Sequence, residues 1–348
     1  MEQKNFEYQL QKNFPGLKQH EPLAQHTTLG VGGPARWFVT ATAIEQLQSG
    51  LQLAHERNIP VFILGWGSNL IVSDQGFPGL VIQNRAKNWK LIEAPEAPIS
   101  SQKNPATSPP RLEALGEQYY RVDDLMYSEE EAPAAIVQVE CGAKTEPLMK
   151  ALLRRGITGL QWFAGIPASV GGAIYMNLHG GYHFFGEVVL RASLYDPRAE
   201  VRLKIVDQDY FQFDYDRSVL HQTKETVLWA QLKLHRGNVE RARATAVEWA
   251  RRKALQPQKS AGCIFRNLSS DEQKRLNLPT PSIGYLVEHV LKLKGARRGE
   301  AVISPRHAAF IENLGAASAE EVKELIALMK NKAKTELDLD LVEEVEYL

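Results

Sequence analysis

Cysteine is nearly missing from this chain: 2 occur in 348 residues, Cys141 and Cys263, far apart in sequence. There is no Cys-x-x-Cys pair and no His/Cys spacing that resembles a zinc site, and free thiols suit a reducing compartment. Long apolar runs are missing too, since none approaches the ~20 residues that a membrane span needs. Met1 to Gln19 is polar and lacks the apolar centre and small-residue cleavage site of a secretory signal, so the cytoplasm is the expected location. Net charge is absent as well, with 41 Lys and Arg against 41 Asp and Glu. No bulk attraction to nucleic acid is implied.

What remains is an ordinary globular balance, 44% apolar and 24% charged residues, in a length that favours two domains. Thr42-Ala-Ile-Glu45 reads as a capping box, and Ile44, Leu47, Leu51 and Ala54 follow at helical spacing before Asn58 and Pro60 stop the run. Val61 to Leu64 reads as a buried strand, followed by Gly65-Trp-Gly-Ser-Asn69, a second apolar run Leu70 to Val72, and Leu80 to Ile82. Between Ala94 and Pro133 the chain turns rich in Pro, Ser, Thr and Gln with an acidic run, and an exposed, partly disordered insertion is expected.

Order resumes with a strand over Ile136 to Val139 and a helix from about Glu146 to Arg155 that Gly156 can end. Val201, Leu203 and Ile205 alternate with polar residues, as do Leu228, Ala230, Leu232 and Leu234, which predicts half-buried strands. A helix is expected through Val239 to Lys253, and Ser318-Ala-Glu-Glu321 caps another that carries Val322, Leu325, Ile326 and Met329. The pattern is α+β, with a first domain over 17–236 and a second over 237–348.

Three glycine clusters could cradle a pyrophosphate: Gly30-Val-Gly-Gly33, Gly65-Trp-Gly-Ser-Asn69 and Ser169-Val-Gly-Gly-Ala173. Taken singly, each is more often a plain turn. The Rossmann fingerprint is rejected, because it needs a helix after the glycines whereas Pro34 interrupts the pattern and Arg36 to Thr40 read as a strand. No Walker-type Gly-Lys-Ser/Thr occurs either.

Several motifs in one order are more specific. Thr28-Leu-Gly-Val-Gly-Gly-Pro-Ala35, Gly65-Trp-Gly-Ser-Asn-Leu-Ile-Val72 and Ala164-Gly-Ile-Pro-Ala-Ser-Val-Gly-Gly-Ala-Ile174 are followed by Ser260-Ala-Gly-Cys-Ile-Phe-Arg-Asn267, His307-Ala-Ala-Phe-Ile311 and Leu341-Val-Glu-Glu-Val345. Together they resemble the UDP-N-acetylenolpyruvoylglucosamine reductase family over nearly the whole chain except the insertion. Between Leu234 and Gln256 there is no room for the extra Tyr-bearing loop of the longer family type.

The resemblance implies a vanillyl-alcohol-oxidase-type FAD-binding domain followed by a smaller α/β substrate domain, in a monomeric enzyme of peptidoglycan synthesis. NADPH would reduce non-covalently bound FAD, and a hydride would then pass to C3 of UDP-N-acetylglucosamine enolpyruvate. The same resemblance puts Gly65, Gly67, Ser68, Asn69, Gly165, Ser169, Gly171 and Gly172 at the flavin, and Tyr215 and Asn267 at the substrate. Cys263 stands where the family usually has a proton-donating serine. A thiol at its reference pKa of about 8.5 is mostly protonated at neutral pH, so it gives up a proton more readily than an alcohol. Glu344 matches the C-terminal glutamate that helps to stabilise the enolate.

Two departures stand out. Phe213-Asp-Tyr-Asp-Arg-Ser218 replaces the family's Phe-x-Tyr-Arg-x-Ser, so Asp216 occupies the place of the enolate-facing arginine and Arg217 follows it. Arg217 is expected to take that role through a local bulge, because an aspartate there would repel the enolate. Asn177-Leu-His-Gly-Gly-Tyr-His183 replaces Asn-Ala-Gly-Ala-Tyr-Gly. The alternatives are another FAD-dependent oxidoreductase on this scaffold, or a nucleotide-binding relic impaired by the rearrangement at Asp216.

Overall fold

Apolar periodicity places most of the elements, and their order in the chain fixes which strands meet. The computed structural model describes residues 2–94, 125–129 and 131–348, so most of the expected insertion lies outside the described residues. First come α1 (Glu2–Asn13), β1 (Lys18–Pro22), β2 (Pro34–Ala41), α2 (Ile44–His55), β3 (Val61–Leu64), β4 (Leu70–Ile71), β5 (Phe77–Asn84) and β6 (Trp89–Glu93). The middle of the chain forms β7 (Ala134–Glu140), α3 (Thr145–Leu153), α4 (Val170–Tyr175), β8 (His179–Gly180), β9 (His183–Phe184), β10 (Val189–Tyr195), β11 (Leu203–Asp207), α5 (Leu220–Thr223), β12 (Thr226–His235) and α6 (Val239–Ala254). The last elements are α7 (Ser270–Arg275), α8 (Ile283–Tyr285), β13 (Arg297–Arg298), β14 (Ala301–Ile303), β15 (Ile311–Asn313), α9 (Ala319–Leu337) and β16 (Glu346–Tyr347). Among the described residues no helix is long and apolar enough to cross a membrane.

The chain divides into two compact units. One comprises Met1–Pro15, Thr40–Asn58 and Gln83–Ala254; the other comprises Gly16–Val39, Ile59–Ile82 and Leu255–Leu348. In the first unit a five-stranded antiparallel sheet runs in the order β11-β10-β12-β7-β6. Leu228, Ala230, Leu232 and Leu234 of β12 are buried, and the core that the last three enter also takes Leu148 and Leu152 of α3 with Ala242, Ala246 and Trp249 of α6. Helix α6 thus packs in the first unit, although the sequence places it beyond a boundary at Arg236. The reason is its apolar stripe, which repeats at the spacing that faces α3.

The second unit holds a sheet in the order β1-β2-β5-β3, a small sheet β13-β14-β15 and a parallel pair β16-β4. Its larger core joins Leu29, Val31 and Ile71 to Ile264, Phe265, Leu286, Leu325 and Met329. The Ser318–Glu321 capping box forms as expected at the start of α9. It is reinforced from elsewhere in the unit: the Asp74 carboxylate accepts from the Ala319 and Glu320 amides at 2.8 and 3.1 Å.

Two local expectations fail for physical reasons. The Thr42–Glu45 box is not made; α2 starts at Ile44, and the Gln46 side chain reaches back to accept from the Thr42 amide at 2.8 Å and its hydroxyl at 3.1 Å. Val201, Leu203 and Ile205 keep their alternation but not their burial, being 71%, 53% and 61% exposed. They lie on or beside β11, the sheet's edge strand, whose other face carries Lys204 and Val206, and it is Val206 that packs on the core.

Candidate active site

In the second unit the glycine loop between β3 and β4 is built as a close backbone approach. Gly67 has a φ of +71°, and a Cβ there would fall 2.2 Å from the His26 carbonyl oxygen, so only glycine fits. The loop is tied down from three sides. The Thr28 amide donates to the Gly67 carbonyl at 3.0 Å, the Thr28 hydroxyl donates to the Ser260 carbonyl at 2.6 Å, and Asn69 Nδ2 donates to the Glu344 carbonyl at 2.9 Å. Among the described residues the amides of Gly67 and Ser68 donate to no protein acceptor. Unspent N–H groups in a concave glycine turn fit an anionic cofactor phosphate.

Beside that loop lie the residues expected to act on the substrate. The stretch Cys263 to Arg266 is flanked by two segments: Ile264 donates to the Ala309 carbonyl at 2.9 Å, and its own carbonyl accepts from the Glu344 amide at 2.9 Å. Bridges Cys263↔Phe310 and Phe265↔Glu343 complete this ladder. Glu344 is thus the cross-strand neighbour of Ile264, one position from the half-buried Cys263. Glu343 is committed elsewhere, taking hydrogen bonds from Lys330 at 2.6 Å and from Tyr347. Asn267 Oδ1 accepts from the Ile283 amide at 3.1 Å and so helps to start α8.

The first unit carries the other expected residues. Ser169 caps α4, its hydroxyl accepting from the Gly172 amide at 3.2 Å, while the Gly171 amide donates to the Cys141 carbonyl at 2.8 Å. A Cβ on Gly171 would sit 3.1 Å from that same carbonyl oxygen. Gly165 serves packing: a Cβ there would lie 2.8 Å from Ala250 Cα on α6. Lys144 bridges to Ser169, and its amine is held below the usual lysine range by burial and then by the charges of Arg85 and Lys87. Three cations beside a glycine-rich helix start are a feature that the sequence reading missed, because they come from two distant segments.

Phe213 to Ser218 does not form a bulged strand. Asp214 and Arg217 pair across a two-residue turn with Tyr215 and Asp216 at its tip, and Asp216 has a φ of +50°. The turn is anchored by Asn177, whose Nδ2 donates to the Asp214 carbonyl at 2.8 Å while its Oδ1 accepts from the Gly186 amide at 2.8 Å. Arg217 faces out, and among the described residues its guanidinium has no hydrogen bond or ion pair. Asp216 turns inward, 4% exposed, and accepts from His179 Nδ1 at 2.8 Å.

Known proteins resolve what this combination belongs to. Residues 255–348 match the family model "UDP-N-acetylenolpyruvoylglucosamine reductase, C-terminal domain", and residues 123–203 match "FAD binding domain". The chain is 31% identical over 342 residues to UDP-N-acetylenolpyruvoylglucosamine reductase of Synechococcus sp. (strain WH7803), a match covering 95% of this chain and 93% of that one. The chain belongs to the UDP-N-acetylenolpyruvoylglucosamine reductase family.

The reductase of Synechococcus sp. (strain JA-3-3Ab) is 33% identical over 333 residues, 94% of this chain and 89% of that one. The crystal structure of UDP-N-acetylenolpyruvylglucosamine reductase from Thermus caldophilus matches with a TM-score of 0.65 at 27% identity, covering 95% of this chain and 97% of that one. The architecture is therefore α+β, with an FAD-binding domain and the C-terminal domain of this reductase family. The C-terminal match begins at residue 255, where the second unit's last and longest segment begins. Membership in the reductase family also decides against an unrelated flavin oxidoreductase on the same scaffold.

Proposed function

We propose that this chain reduces the enolpyruvyl ether of UDP-N-acetylglucosamine enolpyruvate to the lactyl ether of UDP-N-acetylmuramate in peptidoglycan synthesis, as a monomer in the cytoplasm, with NADPH as the source of electrons. Family membership over 95% of the chain supports the reaction class. The single structural observation that carries the reading is the ladder that sets Cys263, Glu344 and the loop Gly65, Gly67, Ser68 and Asn69 side by side in one unit. Bound FAD supplies the hydride that reaches C3 of the substrate.

The remaining steps belong to side chains. Hydride addition to an unsaturated carboxylate leaves negative charge on C2 and the carboxylate oxygens, which calls for a nearby acid and a hydrogen-bond donor. Cys263 donates its thiol proton to C2. Glu344, in its protonated form, donates a hydrogen bond to the developing enolate. Arg217 offers an uncommitted guanidinium to the substrate's negative charge, and the family's motifs assign Tyr215 in the first unit and Asn267 in the second to the substrate. In the second unit the amides of the 65–69 loop suit the anionic cofactor, and in the first unit Ser169, Gly171 and Gly172 are the residues that the family's motif assigns to it.

The test is NADPH consumption by the purified flavin-loaded protein under anaerobic conditions, with and without the enolpyruvyl sugar. Sustained turnover only with that sugar is the expected result. Consumption that stops at one equivalent in its presence would reject the reading in favour of a flavin protein that has lost this substrate.

A further inference from the structure

Glu344 is held by its backbone from two sides, and on one of them the partner is a side chain. Val345 is buried in the larger core of the second unit, so alternation along the strand turns Glu344 and Glu346 away from that core. The Glu344 amide donates to the Ile264 carbonyl at 2.9 Å, in the ladder that carries Cys263. The Glu344 carbonyl accepts from Asn69 Nδ2 at 2.9 Å. With both groups engaged, the two peptide planes that meet at the Glu344 Cα are fixed, and with them the direction in which its side chain leaves the backbone.

Asn69 holds this stretch twice. Its own carbonyl accepts from the Glu346 amide at 3.0 Å, and the parallel pairing then sets Glu346 beside Leu70 and Tyr347 beside Ile71. Glu344 lies before that pairing begins, and there the Asn69 side chain extends it by one more bond. Backbone bonds secure the strand on both sides of residue 344 without it: the Arg266 amide donates to the Val342 carbonyl at 3.0 Å, and the Leu348 amide to the Ile71 carbonyl at 3.1 Å. Asn69 also belongs to the loop whose Gly67 and Ser68 amides suit an anion. Thr28 ties that same loop to the Ser260 carbonyl, just ahead of Cys263. All of these residues lie in one compact unit.

We infer that Asn69 is a positioning residue for Glu344: its side-chain amide fixes the backbone from which the acid meets the enolate, and so joins the acid to the cofactor loop. The inference rests on the reduction proposed above. A donor stabilises developing charge best when it is already in place, and an error of about 1 Å in the placement of such a group can cost on the order of 100-fold in rate. Asparagine suits the task because it carries an N–H donor on a short stem, which is ordered at little entropic cost. Assignment of Asn69 to the flavin alone leaves its bond to residue 344 unexplained; as a link between loop and acid, the bond has a consequence for the step that Glu344 serves.

The experiment is a double-mutant cycle on flavin-loaded protein, read by anaerobic rapid mixing with NADPH and then with the enolpyruvyl sugar. Asn69→Ala removes the donor, and Asn69→Leu replaces it with an apolar group of similar size. Both are expected to slow reoxidation by substrate by about 10- to 100-fold, while flavin reduction by NADPH stays near that of the parent. The dissociation constant of FAD, from flavin fluorescence on dilution of the loaded protein, is expected to stay near the parent value as well. In a Glu344→Ala background the same substitutions at residue 69 are expected to add almost nothing, since no acid is left to position. Full losses in that background, FAD binding weakened as much as reoxidation, or failure of both variants to take up FAD would overturn the inference and make Asn69 a support of the loop. Unchanged reoxidation in the Asn69 variants, with Glu344→Ala slow, would overturn it while leaving the proposed reduction intact. Failure of the parent protein to turn over the enolpyruvyl sugar would overturn both.

Discussion

A thiol in place of an alcohol changes how readily a proton leaves residue 263, and the ladder around that residue makes the change testable. Ile264 and Phe265, the two residues that follow it, are fully buried and anchor this stretch in the core. Cys263→Ser keeps a donor in place and is expected to hold reoxidation by substrate within about tenfold of the parent. Cys263→Ala removes the acid and should lose roughly 100-fold or more in that step. Flavin reduction by NADPH should survive in both, and equal loss in both steps would remove Cys263 from proton transfer. The same ladder singles out Glu344, which the sequence alone could distinguish from Glu343 only by resemblance, because Glu343 is spent on Lys330 and Tyr347.

At the scale of elements, the edge strand β11 turns Leu203 and Ile205 outward and sets Val206 on the core, so polar contacts add to its hold. Lys204 of β11 contacts Glu225 at 2.8 Å, and the Tyr210 hydroxyl donates to Glu225 at 2.6 Å. Burial alone would raise the Glu225 carboxyl, but hydrogen bonds from Lys204, Tyr210 and Thr223 outweigh it and hold the group below the usual glutamate range. A carboxyl depressed in the folded state stabilises above its unfolded value of about 4.3, and the contribution disappears as pH falls through the folded value. Glu225→Gln should therefore cost on the order of 1 kcal/mol near neutrality, a gap that closes below about pH 4. Urea unfolding of both proteins at the two pH values measures it, and a gap that widens on acidification would rule out this role. Period and caps made α9 and β12 legible in the sequence, since burial follows from spacing of 3.6 or 2 along one segment. The Asp74 cap on α9, the cation group at Lys144 and the inward turn of Asp216 were not legible, because each depends on partners far away in the chain.

At the scale of the whole molecule, the sequence suggests two consecutive domains, whereas the compact units interleave: the second draws on Gly16–Val39 and Ile59–Ile82 as well as Leu255–Leu348. Linear reading finds changes of composition along the chain, and no such change marks residues that return to an earlier core. The consequence concerns folding of the C-terminal stretch alone. Leu29, Val31 and Ile71 are fully buried in one core with Ile264, Phe265 and Leu286. Asn313 donates from Nδ2 to the Leu29 and Gly30 carbonyls at 3.0 and 3.2 Å, and among the described residues β16 pairs only with β4. A fragment spanning 255–348 would expose the apolar faces that these residues cover, and each missing large side chain leaves a void costing ~2–5 kcal/mol. Such losses match the whole stability of a small domain, ~5–15 kcal/mol. The fragment is therefore expected to give a collapsed amide proton spectrum without a cooperative thermal transition, although its sequence matches the family's C-terminal domain. A dispersed spectrum with a sharp melt would show that its core closes without Leu29, Val31 and Ile71, and would make the C-terminal stretch a folding unit in its own right.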